Sequence, residues 1–366
     1  MVDSTHLIAL ASVAALVAFA AGFAARWLAP RAGLVDRPGE RKIHPRPMPT
    51  GGGMAVWLGV VVPLAVLATL GGGGLGASAS VCRPELALIL FAATAMLLIG
   101  LVDDLRPLGW KAKLAGQALV AGALVAAHGW FVAAPWSQAQ RPPMLPIGAA
   151  YVAWIVLATN SLNLLDNMDG LCAGVGMVAA AALAVLSRST HETGAEFADG
   201  TCVVALPLLA ASLLGFLHHN RPPARLFLGD AGSYFVGSLL AVGAWEVGGG
   251  DGPFSPAAAL GALCALAVPL YDTASVVVIR LVEGRNPFVG DRSHLSHRLA
   301  AAGLGRGWAV AALVAAAAIC AAAGIGVALT GHAPIALVVL AVLAGLETRI
   351  AVGRRRHGDS PGDPLA

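Results

Sequence analysis

The run LLIGLVDDL, Leu97 to Leu105, decides how this chain is read. Its first six residues belong in hydrocarbon, and the run then stops at two adjacent carboxylates, Asp103 and Asp104. A charge at the centre of a membrane helix costs about 2.5–3.5 kcal/mol on insertion scales, so a pair of acids belongs at the end of such a helix and invites a functional explanation. Similar apolar stretches, near the ~20 residues that span a bilayer, recur along the chain. They lie at 6–28, 52–71, 85–102, 114–134, 147–162, 170–187, 201–218, 231–248, 257–279, 307–330 and 333–351. Composition agrees: only 12% of residues are charged, about half the share of a soluble domain, which excludes the soluble globular class. The expected fold is all-α, a polytopic integral membrane protein of about 11 transmembrane helices.

The first stretch, His6 to Leu28, has no basic residues ahead of it and is long enough to cross, so it reads as a retained helix and not a cleaved signal. Gly71 to Gly74 and the Pro-bearing segment Ala133 to Pro146 read as connections. No soluble domain and no internal repeat interrupts the pattern. One transmembrane domain therefore covers 1–352, with a short cytoplasmic tail over 353–366. Cys82, Cys172, Cys202, Cys264 and Cys320 are scattered without metal or disulfide spacing and read as small buried hydrophobes.

Lys and Arg set the orientation. Twenty of the 23 fall on the side that holds the connections after the odd-numbered stretches and the C-terminal tail; only Arg83, Arg141 and Arg188 fall on the other. By the positive-inside rule the N-terminus is outside and the C-terminus cytoplasmic. The excess of positive charge thus reports topology and calls for no nucleic-acid partner. Arg354, Arg355 and Arg356 read as an anchor at anionic lipid.

The same side collects the unusual polar segments: LVDRPGERKIHPRPMPTGGG from Leu34, VDDLRPLGWKAK from Val102, NSLNLLDNMDGLCAG from Asn160, HHNRPPARLFLGDAGS from His218 and EGRNPFVGDRSHLSHRL from Glu283. Acids gathered near helix ends on one face suggest one composite site there. Asp103 and Asp104 repel each other unless a cation or basic side chain is near. With Lys111 and Lys113 following, they suit a cleft for Mg²⁺ and phosphate; a solvated helix-end pair is the plain alternative. Asn163, Asp166 and Asp169, three apart, share one helical face in a segment lacking Lys or Arg, which asks for a metal or ligand donor; helix capping is the alternative. Asp230, between Gly229 and Ala231-Gly232, is either an N-cap or a metal ligand at a helix start whose N–H groups favour phosphate. His294 and His297 have no third ligand at metal spacing, so with Arg298 they fit contacts to diphosphate. Asp272, within apolar VPLYDTASVVV, is expected to face the bundle interior.

Taken in order, DRPGERKIHPRPMPTGGG, VDD, NSLNLLDNMDG, FLGDAGS, PLYDT and NPFVGDRSHLSHRL resemble the polyprenyl-phosphate N-acetylhexosamine-1-phosphate transferase family, glycosyltransferase family 4, over Leu34 to Leu299. RKIH, HLSHRL and an eleventh span resemble its N-acetylglucosamine-1-phosphate branch; the phospho-N-acetylmuramoyl-pentapeptide branch shows three consecutive histidines. The resemblance implies a multi-pass enzyme of the bacterial inner membrane, active on the cytoplasmic face. It implies Mg²⁺, or Mn²⁺ in its place, a UDP-sugar, a polyprenyl phosphate carrier and release of UMP. A homodimer stays open. It further implies Asp103, Asp104, His294 and His297 as catalytic residues, with Asp103 deprotonating or orienting the carrier phosphate. Asp230 becomes the metal ligand. Lys111, Asn163, Asp166, Asp169, Asn220, Phe227 and Arg298 line the substrate site, Phe227 stacking on uracil. Ser296 departs from the branch, where a histidine is usual, so the sugar is not assigned from this motif.

Other readings compete. A muramoyl-pentapeptide or other UDP-N-acetylhexosamine phosphotransferase differs only in its soluble substrate. A transporter would place its ionisable groups near the midplane and often show repeated halves. A CDP-alcohol phosphotransferase would follow Asp169-Gly170 with Ala-Arg, where Leu171-Cys172 stands.

Overall fold

A computed structural model describes residues 4–37, 46–70, 84–132, 144–192, 201–249 and 254–357. Helix α1 (Ser4–Leu28) is followed by a short antiparallel ladder in which β1 (Val35–Asp36) pairs with β2 (Met48–Pro49). Then come α2 (Gly52–Leu70), α3 (Pro84–Leu105), α4 (Trp110–Val132), α5 (Met144–Leu165), α6 (Leu171–Glu192), α7 (Thr201–Asn220) and α8 (Gly229–Val247). The remainder is α9 (Pro256–Ala265), α10 (Ala267–Val282), the one-turn α11 (Leu295–Leu299), α12 (Arg306–Thr330) and α13 (Leu337–His357). The protein is a helical polytopic membrane protein, and a helix stands over every stretch expected to be one. Among the described residues seven of them are long and apolar enough to cross a membrane, and eight if α9 and α10 count as one.

Three expectations need correction. The ninth stretch is not one straight helix: α9 and α10 meet at 70°. Pro269 lacks the N–H that would bond the carbonyl four residues back, and its ring crowds that carbonyl, so the helix restarts with Pro269 in its first turn. The connection drawn through Pro146 ends sooner, because α5 begins at Met144. The polar segment after α1 carries the small β-ladder, which no alternation in its sequence announced. RKIH, Gly71–Gly74, Cys82 and residues 358–366 of the tail lie outside the described residues.

Helix α8 is the centre of the bundle, packed by α2, α3, α5 and α6 and buried from Ala231 to Ala244. Small residues let backbones close in, which is how membrane helices gain contact where lipid gives no hydrophobic drive. A Cβ on Gly53 would fall on the backbone of Gly232, and one on Gly100 on the backbone of Asp230 and Ala231. Helices α2 and α3 therefore meet the first turn of α8 backbone to backbone, four residues before Asp104. A second apolar cluster, including Leu171, Leu295, Leu299, Leu313 and Ile350, seats α11 against α6, α12 and α13.

Candidate active site

The first turn of α8 is where the motifs converge. The turn opens on Gly229 at φ +76°, and the preceding Leu228 offers no side-chain acceptor to the helix. Helix starts leave N–H groups without partners, and here acids from elsewhere in the chain take them. Asp104 Oδ1 accepts from the Asp230 N–H at 3.0 Å and Oδ2 from the Ala231 N–H at 3.2 Å. Asp166 accepts from the Gly229 N–H. A Cβ on Gly229 would lie 2.6 Å from Asp104 Oδ2 and 2.8 Å from the Thr50 carbonyl, so glycine is needed for room as well as for φ. This corrects two expectations. Asp230 does not cap its own helix, and the N–H groups of Asp230 and Ala231 are taken by Asp104 rather than held open for phosphate.

Freed from capping, the Asp230 side chain turns outward to α4 and α5. Its Oδ1 accepts from Asn163 Nδ2 at 2.8 Å, and Asn163 also donates to Ser233 Oγ at 3.0 Å. Its Oδ2 pairs with Lys113 Nζ at 2.9 Å, and the same ammonium pairs with Asp103 Oδ2. Asp103 Oδ1 accepts from the Leu108 N–H at 2.6 Å. That bond pins the turn between α3 and α4 and aims Lys113, one turn into α4, back at α3. Lys111 lies elsewhere: it is exposed, with its Nζ 5.5 Å from the centre of the Trp110 ring. The choice between two lysines two residues apart depends on helical phase, which the sequence did not reveal because the start of α4 was uncertain.

Asn163, Asp166 and Asp169 do not share one helical face, because α5 stops at Leu165 and the chain turns through Gly170 at φ +77°. Asn163 and Asp166 stay with α8. Burial first, then the neighbouring Asp230 and Asp104, push the Asp166 carboxyl up to about 8 against the opposing Gly229 N–H. Asp169 turns away and accepts from the Ala224 N–H at 2.9 Å. Asn220 spans the same two loops, accepting from the Gly170 N–H and donating to the Leu226 carbonyl, both at 3.0 Å. Partly buried Phe227 joins its loop to the start of α2 through backbone bonds with Pro49 and Gly52.

The histidine segment reaches this site through Ser296, which is 1% exposed and donates to Asn167 Oδ1 at 2.6 Å. His294 sits just before α11 rather than in it, with extended ψ of 148°. Its Nδ1 lies 2.7 Å from Asp272 Oδ2, and Asp272 Oδ1 accepts from the Leu295 N–H at 2.6 Å. The His297 ring is 6.4 Å from that of His294. Burial, then His294, Arg292 and Arg306, hold His297 down at about 4, so it is neutral at physiological pH. Arg298 is drawn away from the acids: it pairs with Glu347 of α13 at 2.8 Å and donates to Ser275. The loop before His294 is folded on Asp291. Burial raises that carboxyl, but bonds from Arg280, Ser293 and Arg285 outweigh it and hold Asp291 below the ordinary carboxylate range. Phe288 of this loop stacks on Trp110, ring centres 4.3 Å apart.

Among the described residues no group of three or more His, Cys, Asp or Glu side chains is arranged to hold a metal ion. What the site does offer is a pair of hard oxygen donors, Asp103 and Asp230, joined by a lysine and backed by an amide.

The chain is 31% identical over 312 residues to a decaprenyl-phosphate N-acetylglucosaminephosphotransferase of Mycobacterium tuberculosis, covering 78% of this chain and 74% of that protein. The chain belongs to glycosyl transferase family 4. The model of that family matches residues 86–247, which hold Asp103 to Asp230 but stop short of Asp272 and the histidines. The equivalent Mycolicibacterium smegmatis protein is 32% identical over 321 residues, covering 79% and 75% of the two chains. An undecaprenyl-phosphate alpha-N-acetylglucosaminyl 1-phosphate transferase of Yersinia pestis is 30% identical over 313 residues, covering 83% and 79%. This family 4 protein is therefore an enzyme, a glycosyl-1-phosphate transferase of the membrane.

Proposed function

We propose that the protein transfers N-acetylglucosamine-1-phosphate from UDP-N-acetylglucosamine to a polyprenyl phosphate and releases UMP. The observation that carries this reading is Lys113, shared by Asp103 and Asp230 at the ends of apolar helices. Phosphoryl transfer needs little covalent chemistry from a protein; it needs positioning and neutralised charge. An ammonium held by two carboxylates, where a lipid phosphate must lie, supplies the positioning, and the negative formal charge of the three side chains together suits a divalent cation that would neutralise the phosphate. In the reaction an oxygen of the carrier phosphate bonds to the sugar-bearing phosphorus of the nucleotide sugar, and the bond from that phosphorus to the bridging oxygen breaks toward UMP.

The second pKa of a phosphate monoester is about 6, so the attacking oxygen is mostly ionised without help. Asp103 has one oxygen on the Leu108 N–H and the other on Lys113. That occupancy favours orienting over proton removal, and we assign Asp103 to orientation. Asp103 and Asp230 are also the residues we assign to Mg²⁺, with Mn²⁺ as its substitute. Mg²⁺ takes one or two carboxylates together with substrate phosphates and water, a donor set of this kind. When bound, the ion draws charge from the phosphate oxygens. Asn163 holds Asp230 in place, and Asp104 and Asp166 hold the turn that carries it. We assign the uridine to the loop that carries Asn220 and Phe227, the place the resemblance gives it. The eleven-span count, the bacterial inner membrane and the single transferase unit over 1–352 with tail 353–366 belong to the same proposal, as do the external N-terminus and the cytoplasmic site, which the Lys and Arg asymmetry supports.

The test is UMP release by purified protein with polyprenyl phosphate and Mg²⁺, offering UDP-N-acetylglucosamine, UDP-N-acetylgalactosamine or UDP-muramoyl-pentapeptide in turn. Carrier-dependent release with the first sugar alone, abolished by chelation and by Asp230→Ala, is expected. Release with muramoyl-pentapeptide alone moves the protein to the other branch. No release with any of them, from folded protein, refutes the reading.

A further inference from the structure

Asp272 is fully buried in α10, yet it spends both oxygens on one short segment: Oδ2 on the His294 ring and Oδ1 on the Leu295 N–H that opens α11. No side chain of α11 itself caps that start. The carboxylate therefore does two things at once, ending a helix and holding an imidazole by one nitrogen. A carboxylate at this position can only accept, and the ring then donates from Nδ1. On a neutral ring the proton is then on Nδ1, and Nε2 is left as the nitrogen with a free lone pair. Rotation of the ring is also opposed, since Nδ1 cannot leave Asp272 without leaving a buried oxygen unpaired.

Two further contacts fix the segment against the site. Ser296 bonds to Asn167, next to Asp166. Arg298 bonds to Glu347, which also accepts from Tyr271 OH at 2.9 Å. The histidine is thus held at its ring, at the backbone after it, and at both ends of the following turn.

We infer that Asp272 is a positioning residue of the transferase site, which sets His294 as the Nδ1–H tautomer and presents its Nε2 to substrate. The inference rests on the placement of His294 in that site. The groups facing the ring from the packed elements are Asp272 of α10 and His297 of α11, with Arg292 and Arg306 acting on the His297 side. None of them other than Asp272 is bonded to Nδ1.

The experiment uses full-length protein labelled with ¹⁵N-histidine, the His294 signals being those absent from His294→Gln, alongside UMP-release kinetics of Asp272→Asn and Asp272→Glu. Expected is an Nδ1–H, Nε2-bare ring in the wild type, lost or mixed in Asp272→Asn. That variant should drop kcat about ten- to a hundredfold, the usual scale for removing a group that orients a functional histidine, with KM for both substrates within about twofold. Asp272→Glu should recover part of the loss. The wild-type spectrum stands even if Asp272→Asn fails to fold. An Nε2–H ring in the wild type overturns the inference outright, as does an unchanged ring in Asp272→Asn. Asp272→Asn protein that is merely less abundant, with wild-type kcat per folded molecule, makes Asp272 a structural cap and overturns it too. A correct tautomer together with a fully active His294→Gln removes His294 from the site, and the positioning role with it, while leaving the geometry intact.

Discussion

Asp104 offers the sharpest separation of structure from chemistry, because the resemblance makes it catalytic and its contacts make it a cap. Its two oxygens receive the N–H groups of Asp230 and Ala231. Replacing it with Ala strands both donors at a turn where α3 and α8 meet without intervening side chains. A hydrogen bond to a charged partner is worth about 1.5–3 kcal/mol at the upper end, and losing a helix cap costs about 0.5–2 kcal/mol. Water reaches this partly exposed end of the helix, so the lower figures apply, about 0.5–1.5 kcal/mol per bond, and two bonds give about 1–3 kcal/mol. Asp104→Asn keeps one acceptor of the two and should lose roughly half of that. The assay is a thermal melt in detergent paired with UMP release from the same samples at a temperature below both transitions. The expected pattern is a graded loss of stability, Ala worse than Asn, with activity falling in parallel as the Asp230 turn loosens. An Asp104→Ala protein as heat-resistant as the wild type but inactive would refute the reasoning and return Asp104 to the reacting groups.

Lys113→Met should abolish UMP release, at least a hundredfold, while Lys111→Met should stay within several-fold, since an exposed cation–π contact is worth only about 0.5–1 kcal/mol; comparable losses in both would undo the assignment of Lys113. Ser296 and Asn167 should couple by about 1 kcal/mol in a double-mutant cycle of melting midpoints, and additive Ala substitutions would show that the bond contributes nothing. His297 has a depressed pKa near 4 in the folded protein. Below about 6.5 the unfolded chain takes up a proton at this residue that the folded one refuses, so the His297 contribution to stability falls as pH drops from about 6.5 toward 4, while Asp166, raised to about 8, contributes the opposite slope over that range. His297→Gln should gain stability relative to the wild type as melts are taken from pH 7 to 5, and a difference between the two proteins that does not change with pH would point to another group.

The apolar helices were legible because hydrocarbon solvent demands long unbroken runs, and the acids were legible because such runs make every charge conspicuous. What could not be read was partnership across the chain. Asp104 meets residues 126 and 127 positions away, a pairing that exists only because Gly100 lets α3 touch α8. Lys113 and Lys111 look alike in sequence and differ by a rotation of the helix. Asp166 and Asp169 seemed equivalent until the chain turned at Gly170 between α5 and α6. The bend at Leu266 was signalled by Pro269, but a proline inside an apolar run also occurs in α2 and α7 without breaking them, so the signal alone did not decide. Asp272 was recognised as a buried acid, and only the fold supplied its histidine.

The clasp formed by Asp169 and Asn220 has a practical use. It fixes both ends of the loop after α7, with Arg225 N–H on the His219 carbonyl as a further tie, and leaves Arg221, Pro222 and Pro223 exposed between them. A reporter placed there is anchored by backbone bonds it does not disturb. Cys172, Cys202, Cys264 and Cys320 are buried, so with Cys82 replaced, a dye on Arg221→Cys would stand beside the proposed uridine site and register the arrival of nucleotide by its own fluorescence, before any bond is made or broken.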